Sequence, residues 1–177
     1  MLSRVAAPAS PVVRLDELKA HLRVVGREED ELISDLERAA VSLLDGWGGL
    51  LGRGILRQAW RQEFSHWGRL RLALPDALSA TVTWLDGDGA EQSADQAELR
   101  ADHLGSYVLA SGPASSRIFV VFEVELPAHH LMAVRQAVKL LVGQWYENRE
   151  AGVTGTITAT VPLAFESLIN NVRVRRI

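Results

Sequence analysis

Apolar and polar positions along the chain change period twice. Leu15, Leu18 and Leu22 recur at helical spacing, with Asp16 and Glu17 at the end where the helix dipole favours negative charge. They predict a short helix over 14–25. A second helix is predicted over 28–46, with Glu28, Glu29, Asp30 and Glu31 crowding its first turn. Leu32, Ile33, Leu36, Ala39, Ala40, Leu43, Leu44 and Trp47 form its apolar stripe. Asp35, Glu37, Arg38 and Asp45 fall off that stripe and are expected in water. Gly46, Gly48 and Gly49 stop the helix.

From about 56 to 125 the period drops to two, as in half-buried strands. Trp60, Gln62 and Phe64, then Leu70, Leu72 and Leu74, alternate with their neighbours. The β-rich run 80–85 leads into Asp86-Gly87-Asp88-Gly89, a hairpin turn signal. Residues 107–109 and 118–126 read as further strands, while 93–105 is too polar to assign. Pro127 opens a third helix, expected over 128–149, whose stripe is Leu131, Val134, Val138, Leu141, Val142 and Trp145. A short helical piece follows at 163–169.

These periods predict an α+β fold. Its helical core has two N-terminal helices and one long C-terminal helix, interrupted by a β insertion. A mobile lead-in is expected over 1–13, a central domain over 14–152 and an extended C-terminal arm over 153–177.

Composition narrows the function. With 47% hydrophobic and 23% charged residues, the 177-residue chain can bury a real core. No apolar run reaches the roughly 18 residues that would span a bilayer, and the N-terminus lacks the apolar stretch of a secretory signal. The absence of cysteine excludes disulfides, thiolate metal sites and cysteine nucleophiles. Net charge is −3, which argues against a surface made to coat DNA. That total hides alternating blocks: +3 over 1–27, −6 over 28–50, +4 over 51–75, −7 over 76–126 and +3 over 127–177. Such blocks fit either helix and strand faces solvated independently or contacts between copies, and 17 of the 19 basic residues are arginine, the better interface cation. Glu28, Glu29 and Asp30 on one copy, facing Arg53, Arg57 and Arg61 on the next, are the candidate subunit contacts.

Catalytic signatures are missing. The five histidines show no metal-ligand spacing, and adjacent His129 and His130 point apart on a helix. The glycine-rich stretch 46–54 follows a helix and lacks the Lys-Ser/Thr of a phosphate loop. Asp86-Gly87-Asp88-Gly89 has Ala97 where a calcium loop needs its closing Glu. No enzyme activity and no cofactor are expected. Two features suggest docking instead: the helix end Trp145, Tyr146 and Arg149, and the tail Val172-Arg173-Val174-Arg175-Arg176-Ile177, whose alternation suits a strand added to a partner's sheet.

The order of several stretches resembles the phage head–tail connector (adaptor) family, which includes the adaptor of gene transfer agents. They are residues 15–24, Glu29-Asp30-Glu31-Leu32-Ile33, Gln58-Ala59-Trp60, residues 72–75, residues 82–89, the Pro127-led helix ending at 145–150, Val161-Pro162 and 165–168. The resemblance implies a non-enzymatic ring, usually of twelve copies, below a capsid portal. Stopper or tail-completion proteins would dock on it, DNA would pass through its lumen, and no membrane would be involved. The particle neck would be its location, with assembly in the bacterial cytoplasm, and the tail would be its portal-binding arm. A ring-forming tail terminator is the alternative, although strands should dominate such a protein. A DNA-binding packaging accessory is a further one, and would show salt-dependent duplex binding.

Overall fold

The period-two middle of the chain and its helical-period flanks fold as separate units. One contains Met1–Pro8 and Leu56–Leu126, the other Ala9–Ile55 and Pro127–Ile177. The structure is a computed structural model and describes residues 1–113, 117–148 and 163–174. Its elements in order are β1 (Leu2–Ala6), α1 (Leu15–Leu22), α2 (Asp30–Leu44), β2 (Gln58–Phe64), β3 (Gly68–Arg71), β4 (Ala77–Leu85), β5 (Glu91–Ser93), β6 (Ala97–Asp102), β7 (Gly105–Ala110), β8 (Ile118–Val124), α3 (Ala128–Glu147) and α4 (Leu163–Asn170).

In the β unit, all pairings are antiparallel: a five-stranded sheet ordered β1-β2-β8-β4-β5 and a three-stranded sheet ordered β3-β7-β6. β8 is central because its alternate side chains Ile118, Val120, Phe122 and Val124 are all buried. They join Trp60, Leu70, Leu72, Leu74, Val82 and Val108 in one core. The opposite face of the large sheet carries rows such as Ser3, Arg61, Val121 and Thr81, aligned across four strands. At Asp86 the chain turns from β4 into β5. The Asp86 carboxylate accepts from the backbone N–H of Asp88 at 3.0 Å and of Ala90 at 2.9 Å, and Gly89 takes a φ of +82°.

Two sequence expectations change here. The lead-in is not a loose segment, because residues 2–6 pair with β2 as an edge strand. Five residues followed by prolines are too short to show alternation. The polar stretch 93–105 contributes β6 and the start of β7, with only Leu99 of β6 packed toward the core. A strand wet on most of its side chains has no hydrophobic period to read.

In the helical unit, α2 packs on α3, α3 on α4, and α1 on both α2 and α3. Buried Ile33, Ala40 and Leu44 of α2 form its core with Val134, Ala137, Val138, Leu141 and Val142 of α3 and Phe165 and Ile169 of α4. α1 ends where Arg23 enters the left-handed region at φ 60°, with the Val24 N–H bonded to the Lys19 carbonyl. Pro127 caps α3 from outside, at ψ 135°, rather than sitting in its first turn.

The buried face of α2 is rotated from the expected stripe. Glu37 is only 5% exposed and Asp45 7%, whereas Leu43 and Trp47 are 41% and 42% exposed. The carboxylates are buried because each replaces a missing backbone partner. Glu37 accepts from the Val12 N–H at 2.9 Å and the Val13 N–H at 3.2 Å, and Asp45 from the Ile55 N–H at 2.8 Å. The glycine-rich stretch folds back on the end of α2, with the Leu50 and Leu51 N–H groups bonded to the Leu43 and Leu44 carbonyls. Gly49 is required there, since a Cβ would lie 2.4 Å from the Leu44 carbonyl.

Candidate docking surfaces

The expected arm begins inside the helical unit. Val172 is 1% exposed, and its N–H and that of Arg173 both bond to the Ile169 carbonyl, closing α4 with a turn. The Val174 N–H then bonds to the Leu51 carbonyl at 2.9 Å. Val172 is therefore an anchor. It cannot share an outward strand face with Val174, as the alternation suggested. Arg175, Arg176 and Ile177 lie outside the described residues.

The acidic start of α2 is held by its own chain. Asp30 pairs with Lys19 at 2.5 Å, and that ammonium also reaches the Gly26 carbonyl. Tyr146, half-buried near the end of α3, donates its hydroxyl to Glu29. Glu28 remains exposed. Trp145 is half-buried beside Tyr146, and Arg149 lies outside the described residues. Within the same unit, Glu17 accepts from Arg135 at 2.6 Å and lies 3.4 Å from Lys139, and the Arg135 bond holds its carboxyl below the usual range.

The basic segment is likewise engaged. Arg57 pairs with Glu123 at 2.6 Å, and Arg61 lies 3.5 Å from Glu91 and 4.0 Å from the centre of the Phe119 ring. The Arg53 carbonyl accepts from the Gly46 N–H at 2.7 Å. Hydrogen bonding from Arg57 keeps the Glu123 carboxyl low and raises Arg57 itself. The six residues expected to bridge neighbouring copies thus fall in two groups, Glu28 to Arg53 in the helical unit and Arg57 and Arg61 in the β unit. The Arg57 side chain is 63% exposed and that of Arg61 38%.

One cluster had no sequence signal. Arg69 and Arg71 both hold Asp102, at 2.5 and 2.7 Å, and Arg69 lies 3.9 Å above the Tyr107 ring. The Arg71 hydrogen bond drives the Asp102 carboxyl far below the ordinary carboxylate range. Only the register β3–β7–β6 brings these residues together, and that register is not written in the local pattern. No group of three or more metal-ligating side chains occurs among the described residues, and among them no helix is long and apolar enough to cross a membrane. The His129 and His130 rings lie 4.0 Å apart at a 47° tilt, a contact between neighbours on a helix start.

No protein-family model matches the chain, and no curated protein matches it either. Its fold is shared along the whole length with a solved chain from the neck of an empty GTA (gene transfer agent) particle, computed with C6 symmetry. The two are 22% identical, with a TM-score of 0.77 over 100% of this chain and 97% of the other. The shared fold is mixed α and β, with two antiparallel sheets and four helices among the described residues.

Proposed function

We propose that this protein is a structural head–tail connector that forms a ring below a capsid portal. It joins the portal to stopper or tail components and lets DNA pass through its lumen, without catalysis or cofactor. The observation that carries this reading is the full-length likeness to a chain from a particle neck. Twelve copies accord with the sixfold symmetry of that neighbouring particle, because twelve subunits can be arranged as six pairs. The ring sits in the neck of a phage-like particle or gene transfer agent and assembles in the bacterial cytoplasm.

Within this reading the chain end beyond the Val172 anchor docks on the portal, its arginines pairing with acidic side chains. The end of α3, with Trp145 and Tyr146, together with Arg149 just past it in the sequence, is the second docking candidate. Contacts between copies run from the acidic block around Glu28, Glu29 and Asp30 to the block holding Arg53, Arg57 and Arg61. Because Asp30 and Arg57 already have partners, these contacts share existing pairs and set register more than affinity.

The test is to mix the protein with the portal encoded beside it and image the product. An added coaxial ring supports the reading. Unaltered portals would contradict it, and salt-dependent binding of duplex DNA by the protein alone would favour the packaging accessory instead.

A further inference from the structure

The turn between α1 and α2 has an exposed apolar tip. Val25 is 96% exposed, the highest value for a large apolar side chain among the described residues. Arg23 and Arg27 flank it; both are exposed, and neither has a carboxylate partner among the described residues. The turn is fixed by its own bonds. The Lys19 ammonium donates to the Gly26 carbonyl at 2.5 Å, the Val24 N–H bonds to the Lys19 carbonyl at 3.0 Å, and Arg23 turns the chain at φ 60°. The Glu28 carboxylate lies close to Gly26, so two guanidiniums and one carboxylate leave the tip cationic. A single exposed valine is ordinary on a protein surface. One held between two arginines on a preorganised turn has little conformational freedom to lose on docking.

The β unit contains a cleft of complementary chemistry. Its volume is about 680 Å³, and Trp84, Asp86, Gln92, Asp95 and Gln96 are among the residues that line it. Trp84 supplies an aromatic wall. Asp86 is kept ionised, because a 2.9 Å bond from Gln92 and bonds from backbone N–H groups of the turn hold its carboxyl below the usual range. Asp95 is exposed and has no cation beside it among the described residues. The run from Leu72 to Leu99 carries six carboxylates and no lysine or arginine. An indole beside carboxylates suits a guanidinium, which stacks on the ring while its edge donates hydrogen bonds.

We propose that the α1–α2 turn of one copy docks in the Trp84 cleft of a neighbouring copy. Arg23 and Arg27 pair with Asp86 and Asp95, and Val25 packs against the indole. The turn and the cleft are different surfaces, so the contact is head-to-tail, the type that closes a ring when the rotation allows. The charges choose the neighbour and its register, and the fixed shape of the turn limits the entropy lost. The inference rests on the ring reading for placing copies side by side.

The chain has no cysteine, so introduced cysteines report cleanly. Val25 and Gln96 are both exposed, and replacing either should leave the fold intact. Val25→Cys protein is mixed under mild oxidant with size-tagged Gln96→Cys protein, with and without the portal, and assembly is followed by light scattering and electron microscopy. The expected result is a mixed covalent dimer, several-fold stronger than that of Val25→Cys with Glu166→Cys, an exposed control position on α4. Adding Arg23→Glu and Arg27→Glu to the Val25→Cys chain should weaken the cross-link several-fold, and Asp95→Arg on its partner should restore part of it. Rings that form without a cross-link above the control, or a cross-link indifferent to the charge reversal, would overturn the docking while leaving the ring intact. A double Val25→Cys/Gln96→Cys variant bridged only within one chain would overturn the neighbour as partner. Monomers at every concentration, with the portal present and no cross-link, would overturn both readings.

Discussion

Glu37 shows how a single residue can defeat a hydrophobic stripe. Its carboxylate is buried because it terminates two backbone N–H groups of the segment entering α1. Nothing local in the sequence announces that service, so the expectation of a wet Glu37 fails for a physical reason. Replacing it by leucine leaves the Val12 and Val13 donors unsatisfied, at about 1–3 kcal/mol each. Glu37→Gln keeps an acceptor and should cost much less. Urea unfolding of the two variants checks this, and equal losses would contradict it. Gly49→Ala should cost about 1–3 kcal/mol in the same assay, because the new methyl meets the Leu44 carbonyl. Asp102 gives a pH signature. Its folded pKa is depressed, so its contribution is present above the ordinary carboxylate value of about 4 and fades as pH falls further. Asp102→Asn should therefore destabilise the protein at neutral pH, with the difference from wild type narrowing below about pH 4. A pH-independent difference in melting temperature would count against the Arg71 pairing as its source.

Element by element, what could be read depended on how completely each face was buried. The α3 stripe was legible because Val134, Val138, Leu141 and Val142 are all inside. β8 was legible because every second residue meets a neighbour on both sides. α2 was legible as a helix but misread in rotation, since Leu32, Leu36, Ala39 and Leu43 extend its apolar arc beyond the buried sector. Its two candidate core probes should consequently separate. Val138→Asp places a charge in a fully buried site and should cost several kcal/mol, abolishing the cooperative transition of the helical unit. Leu36→Asp, at a half-buried position, should leave the protein folded with a reduced melting temperature. Equal effects would mean the α2–α3 packing is not as described. β1 and β6 escaped reading because an edge strand with wet side chains carries too little alternation.

For the whole molecule, charge blocks and an alternating tail pointed to assembly, yet the described parts of both turned out to be partly consumed by internal contacts. The tail makes the sharper case. Removing residues 172–177 should cost about 1.5–3 kcal/mol more than removing 175–177 alone, through loss of the buried Val172 side chain. Thermal unfolding separates the two. If the arginines do the docking, both truncations should lose portal binding alike, and binding retained without 175–177 would move the docking site to the end of α3. The proposed connector role as a whole depends on a ring forming on a portal. It is tested most directly by electron microscopy of portal-bearing capsids with and without the protein, reconstructed without imposed symmetry. The account predicts a new ring coaxial with the portal, open at its centre, whose repeating density accepts the β unit and the helical unit of this fold. Capsids that show no added density at saturating protein, or density without rotational symmetry, would contradict it.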